Sequence, residues 1–164
     1  MILYYALVRS HMESGSLIWN PVLKKHSEAL ENIQRRFLKY VYSRIFQYYP
    51  NMGYKELLAG FEIDSLDNRR RASQLSFLHT LLQGQTDSNL LREIKLRVPR
   101  PNSRLHETFN THQKGSLRHG FPNRACTLYN TIEKKTGGAY MDILSQTKKD
   151  FLLISKKIIN ITYG

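Results

Sequence analysis

Apolar residues recur at helical spacing along most of this chain. Between Trp19 and Tyr42, Leu23, Leu30, Ile33, Phe37 and Val41 fall three, four or seven apart, with Ile45 just beyond. That spacing lays them along one stripe of an α-helix. Glu28, Glu31, Arg35, Arg36 and Lys39 fall on the other flanks. Asn20 is placed to cap the start, with Pro21 at the first helical position, where a missing N–H costs nothing. Glu31 stands four residues before Arg35, the favourable order for a helix ion pair worth ~0.2–0.5 kcal/mol. The pattern predicts one long amphipathic helix from Pro21 to about Ile45. Trp19 closes the apolar run Leu17-Ile18-Trp19 and is expected to be buried where an earlier helix meets the long one.

The earlier helix covers about 2–13 and ends near Gly15. Pro50 and Gly53 make a loop of 46–53, whose aromatics suit either stacking on bases or lidding a core. Tyr54–Ala59 reads as a short helix stopped at Gly60. Ser65 then caps a second long helix through Gln83, with the stripe Leu66, Ala72, Leu75, Leu78 and Leu82 and with Gly84 past its end. Asp87–Glu93 is a short helix. From Lys95 the periodicity fades in a stretch with three prolines and two glycines. Leu96–Val98 and Glu107–Phe109 have the character of short strands. A helix from Pro122 to about Lys134 turns Ala125, Leu128, Tyr129 and Ile132 inward. A last one over Asp142–Ile159 sets Leu144, Phe151, Ile154 and Ile158 against Lys148, Lys149, Lys156 and Lys157. The expected fold is mainly α: a multi-helix single domain with a long irregular basic loop after the second long helix. Its parts are 1–94 (helical core), 95–121 (irregular basic loop) and 122–164 (C-terminal helices).

Charge changes the picture from fold to partner. The 164 residues carry 25 Lys+Arg against 13 Asp+Glu, a net charge of +12. Such an excess favours polyanions through phosphate contacts and counterion release, so RNA or DNA bound without sequence preference is the expected partner. The candidate contacts are Arg35, Arg36 and Lys39 on the long helix, Arg69, Arg70 and Arg71 at the head of the second, and Arg97, Arg100 and Arg104 in the loop. The planar fork of arginine bonds two phosphate oxygens at once. The competing reading for each is a solvated face.

Other chemistry is thinly represented. The single Cys126 excludes an intramolecular disulfide and a multi-cysteine zinc site, and it reads as a small buried residue. His106, His112 and His119 fit no zinc frame, so no metal and no cofactor is expected. Asp64 and Asp67 lie where a helix begins and read as caps. No adjacent aspartates, phosphate-cradling glycine loop or nucleophile elbow occurs. No apolar run approaches the ~18 residues of a membrane span. The start has no basic region of a signal peptide. The expected setting is therefore intracellular, nucleus or cytoplasm, without a membrane partner, although the last helix's lysines would also suit an anionic surface.

The stretch Leu3–Pro21 followed by Leu30–Tyr42 resembles the C-terminal part of reverse transcriptases of jockey-type non-LTR retrotransposons. Tyr4, Leu7, Val8, Arg9, Gly15, Ser16, Trp19, Glu31, Gln34, Arg35, Arg36, Phe37 and Tyr40 stand at matching positions. Glu13-Ser14-Gly15 replaces the family's Glu-Tyr-Gly, and Met12 replaces a leucine. The likeness continues through Met52–Leu58, the step from Ser65-Leu66 to Arg69-Arg70, and Arg97–Arg104. It implies the post-palm, thumb-like region of an RNA-directed DNA polymerase, contacting template–primer through basic helix faces. Such polymerases transfer nucleotidyl groups with two carboxylate-held metal ions. The sequence lacks that aspartate pair, so the resemblance places Mg²⁺ in a polymerase palm and leaves this chain inactive alone. The alternative it implies is a structural, protein-interaction module docking on that palm through Leu3–Val8 and Phe37.

Overall fold

The computed structural model describes residues 4–47, 51–86, 88–98, 107–112, 116–136 and 142–163. The chain is mainly α-helical, with a single two-stranded sheet among the described residues. It divides into two compact units, Met1–Arg70 and Arg71–Gly164.

The first unit opens with a π-helical turn, Tyr4–Arg9, that continues as α1 (Ser10–Glu13). After α2 (Ser16–Trp19) come α3 (Lys24–Phe46), α4 (Tyr54–Gly60) and the head of α5 (Leu66–Leu82). The long helix begins later than its sequence suggests. Asn20 ends α2, its N–H donating to the Ser16 carbonyl at 3.0 Å, and its ψ of 124° takes the backbone out of the helix. A residue before proline is pushed out of the α region, so Asn20-Pro21 serves as an exit rather than an entrance.

The inward face of α3 is also turned from the expected stripe. Gln34 and Leu38 are buried and Leu30, Phe37 and Val41 partly so, whereas Leu23 and Ile33 are 61% and 48% exposed and Ile45 is exposed too. Hydrogen bonding explains the turn. Tyr4 donates its hydroxyl to Gln34 Oε1 at 2.6 Å, and Gln34 Nε2 donates to the Asp64 carbonyl at 3.2 Å. A polar side chain goes inside because both its ends are satisfied there. Tyr4 also stacks on Phe37, centroids 4.9 Å apart, within a core of Met12, Leu38, Ile63 and Leu66. Burial pushes the Tyr4 phenol up to about 12.

Glu31 ties three helices together. Its carboxylate accepts the Tyr54 hydroxyl of α4 at 2.5 Å and the Asp67 N–H at the head of α5 at 2.6 Å. Ser65 Oγ accepts the Asn68 N–H at 3.2 Å, the cap its sequence predicts. Burial first, and the Glu31 bond second, push the Tyr54 phenol far up. Arg35, one turn on from Glu31, lies over the Tyr54 ring at 4.9 Å.

The second unit holds the rest of α5, α6 (Ser88–Arg92), α7 (Phe121–Thr136) and α8 (Lys148–Tyr163). Its core gathers Leu75, Leu78, Phe109, Ala125, Cys126, Tyr129, Ile132, Ile143, Phe151 and Ile159. Cys126 is buried, and desolvation pushes its thiol up to about 12. β1 (Lys95–Leu96) pairs antiparallel with β2 (Phe109–Asn110), with Leu96 opposite Phe109. These two-residue strands owe their position to α7. Asn130 accepts the Phe109 N–H at 3.1 Å and donates to the Phe109 carbonyl at 2.8 Å. Glu133 accepts the Thr108 N–H and hydroxyl at 3.1 and 2.8 Å. Asn123 brackets His112 in the same manner, at 2.7 and 3.1 Å. Seven and three residues separate these side chains, so they share one face of α7. Residues 99–106 of the expected basic loop lie outside the described residues, as do 48–50 of the expected aromatic loop.

The last helix starts at Lys148, not at Asp142. The Asp142 carboxylate instead accepts the Leu144 and Ser145 N–H groups at 3.0 and 3.3 Å, closing a turn. Thr147 then caps α8, its Oγ1 accepting the Asp150 N–H at 3.3 Å. That turn buries Ile143 and leaves Leu144 exposed.

These ties can be tested in each unit. Glu31→Ala leaves the Tyr54 hydroxyl and the Asp67 N–H without their acceptor, at a cost of about 1–3 kcal/mol for each group that stays buried. Pairing it with Tyr54→Phe in a denaturant-melt cycle should recover part of the loss; fully additive effects would show the two to be uncoupled. In the second unit, Glu107 contacts Lys134 and meets Arg97 at 2.7 Å. The Lys134 hydrogen bond above all holds its carboxyl below the usual carboxylate range. That stability is complete above the unfolded value near ~4.3 and is lost as pH falls through the lower folded value. Glu107→Gln should therefore make acid unfolding less steep below about pH 4, and an unchanged acid transition would contradict it.

Candidate nucleic-acid interface

The exposed side of α3 carries Lys25, Ala29, Asn32, Ile33, Arg36, Tyr40 and Arg44. Arg36, Tyr40 and Arg44 follow one another at four-residue steps, which sets them in a row along the helix. The Arg44 guanidinium lies 5.3 Å from the Tyr40 ring centroid. Arg35 lies beside this row, exposed and held over Tyr54. Lys39 is half-buried. Lys24, at the start of α3, is 3.6 Å from Glu28, an exposed pair of little energetic weight. The row thus alternates cations with an exposed aromatic face. Cations neutralise phosphates, and an aromatic face stacks on unpaired bases.

The other basic candidates are placed differently. Arg69 makes a two-pronged contact with the Glu13 carboxylate, its Nη2 at 2.9 Å from Oε2, and Arg9 reaches the same carboxylate at 3.3 Å. Arg70 is 1% exposed. Its Nη2 donates to Ser27 Oγ at 2.8 Å and lies 3.6 Å from Asp67, while Nε and Nη1 are buried with no hydrogen-bond partner among the described residues. Arg70 belongs to the interior of the first unit, where no phosphate reaches it, and Arg69 is part-buried against Glu13. In the second unit Arg71 lies over the Tyr163 ring at 3.7 Å, with Lys135 at 4.7 Å from the same ring. Arg97 is exposed and pairs with Glu107. Arg100 and Arg104 lie outside the described residues.

Sequence reasoning missed Tyr40 and Arg44, although the four-residue step from Arg36 was there to find them. It also placed Trp19 inside, and the ring is 42% exposed. The indole N–H donates to the Ser14 carbonyl at 2.6 Å, which fixes the ring against the left-handed Gly15 (φ 64°) at the surface. An indole so held keeps one polar end satisfied with part of its face in water. His112 is engaged through its backbone by Asn123, and His106 lies outside the described residues. Among the described residues no three His, Cys, Asp or Glu side chains gather to hold a metal, and no helix is long and apolar enough to cross a membrane. No family model, curated protein or solved structure matches the chain.

The interior placement of Arg70 has a measurable consequence. Burying a guanidinium with two unpaired donors carries a desolvation cost, and an apolar side chain of similar volume is often neutral or better there. Arg70→Met is expected to match or raise the melting temperature. A loss of about 3–5 kcal/mol, the scale of a broken buried ion pair, would show the charge to be essential to the fold.

Proposed function

We propose that this chain binds nucleic acid through phosphates, as the post-palm, thumb-like part of a jockey-type reverse transcriptase would against template–primer. The observation that carries this reading is the row Arg36–Tyr40–Arg44 on the exposed side of α3, in a chain of net charge +12. Arg35 widens the row, and in the other unit Arg97 adds an exposed cation. Binding of this kind is insensitive to sequence, serves RNA or DNA, and suits the nucleus or the cytoplasm. The chain supplies grip and no chemistry: Mg²⁺ belongs with the paired carboxylates of a palm, which this sequence does not contain. The rival reading, docking on such a palm through Leu3–Val8 and Phe37, is weakened by the stacking of Tyr4 on Phe37, which engages two members of that stripe internally.

The test is a salt titration. Each phosphate neutralised on B-DNA contributes about −0.9 to the slope of log K against log salt. Changing Arg35, Arg36 and Arg44 together to Gln should flatten the slope by roughly 2–3 units, on a labelled DNA duplex and likewise on single-stranded RNA. Folding should survive, since all three are exposed. Equal slopes would reject α3 as the binding face, and no binding at low salt would reject the reading itself.

A further inference from the structure

A second surface of the first unit lies where α2 gives way to α3. Trp19, Asn20, Pro21, Val22, Leu23, His26, Ala29, Leu30 and Ile33 line a groove of about 650 Å³. Ile18, Val22 and Leu23 are more than half exposed, and Trp19 and Ile33 nearly so. Contiguous apolar exposure of this kind marks contact surfaces. The groove is also preformed. The Ser14 carbonyl and Gly15 hold the indole, and Pro21 fixes the backbone beside it. A rigid aromatic wall loses little entropy when something docks on it.

The charges around the groove say what fits it. No carboxylate is among its lining residues. Lys25 and Arg36 extend the line of Ala29 and Ile33 along α3 in either direction, and both are exposed. Of the two acids on α3, Glu28 is met by Lys24 at 3.6 Å and Glu31 is taken up by the Tyr54 hydroxyl and the Asp67 N–H. Leu23, at the head of α3, gives no side-chain cap, and the first turn holds no acidic residue, so the positive end of the helix dipole opens at the groove. An apolar floor flanked by positive charge along α3 is complementary to an apolar segment flanked by carboxylates. A second copy of the chain would bring Lys25 and Arg36 against like charges.

We propose that this groove docks an amphipathic protein segment whose apolar residues seat between Trp19 and Ile33 and whose acidic flanks meet Lys25, Arg36 and the head of α3. The proposal rests on the groove and does not require nucleic-acid binding, although the two surfaces share Arg36. Trp19 is the only tryptophan, so it reports occupancy without a label. The probe is a synthetic tryptophan-free helix with leucines at i, i+3, i+4 and i+7 and glutamates on the flanks. It should blue-shift Trp19 emission saturably, and its lysine-flanked twin should not. Ile33→Glu should weaken binding about tenfold or more, the loss of an anchor, with far-UV circular dichroism unchanged. Lys25→Glu with Arg36→Glu should reverse the preference to the lysine-flanked helix. Four results would each overturn the proposal: no shift with the acidic helix at low salt, equal binding of both helices, an oligonucleotide producing the same Trp19 shift, or a concentration-dependent shift of the protein alone accompanied by dimerisation in sedimentation.

Discussion

Short helices and irregular segments leave many backbone N–H and C=O groups outside any ladder, and burying them unpaired is costly. Each unit of this protein meets that constraint in the same way. A long helix extends polar side chains that take the place of the missing ladder. In the first unit α3 supplies Glu31 to the head of α5 and Gln34 to the Asp64 carbonyl. In the second unit α7 supplies Asn123, Asn130 and Glu133 to the strand edge around Phe109. A primary amide that both accepts and donates to one residue, as Asn130 does to Phe109, imitates a strand partner. Strands as short as β1 and β2 are held by that imitation as much as by each other.

This device explains which parts of the fold were legible beforehand. α4, the Ser65 cap, the apolar stripe of α5 and the inward residues of α7 follow from spacing and capping chemistry, which act within a few residues. The errors arise where a distant group intervened. Counting only apolar positions put Ile33 on the core side of α3, because Gln34 looks polar until Tyr4 and Asp64 are brought to it. Asp142 passed for the start of a helix because its turn with Ser145 is another local use of the same residue type. The basic residues divide likewise. Arg36 at an exposed helical position was readable as surface, whereas nothing local marks Arg70 as interior; Ser27 on α3 does that from far along the chain.

Eight of the positions behind the expected resemblance fall into two groups. Tyr4, Gly15, Trp19, Glu31, Gln34 and Phe37 make the stacking, turns and ties of the first unit. Arg36 and Tyr40 stand on its exposed side. The first group constrains the backbone and the second displays a surface, and one helix serves both. The pitch of α3 makes this possible: Glu31 and Gln34 project to one side while Arg36 and Tyr40 project to another. Substitutions on that surface need not loosen the scaffold beneath it.

Cys126 gives the second unit an internal gauge. A lone thiol sealed in the core and held protonated is inert toward disulfide reagents while its surroundings stay closed. Its modification rate then measures how often α7 parts from its neighbours, a local opening distinct from global unfolding. With the lone indole in the other unit, each half of the chain carries one chemically unique reporter, and the two can be followed separately in an unlabelled, unmutated protein.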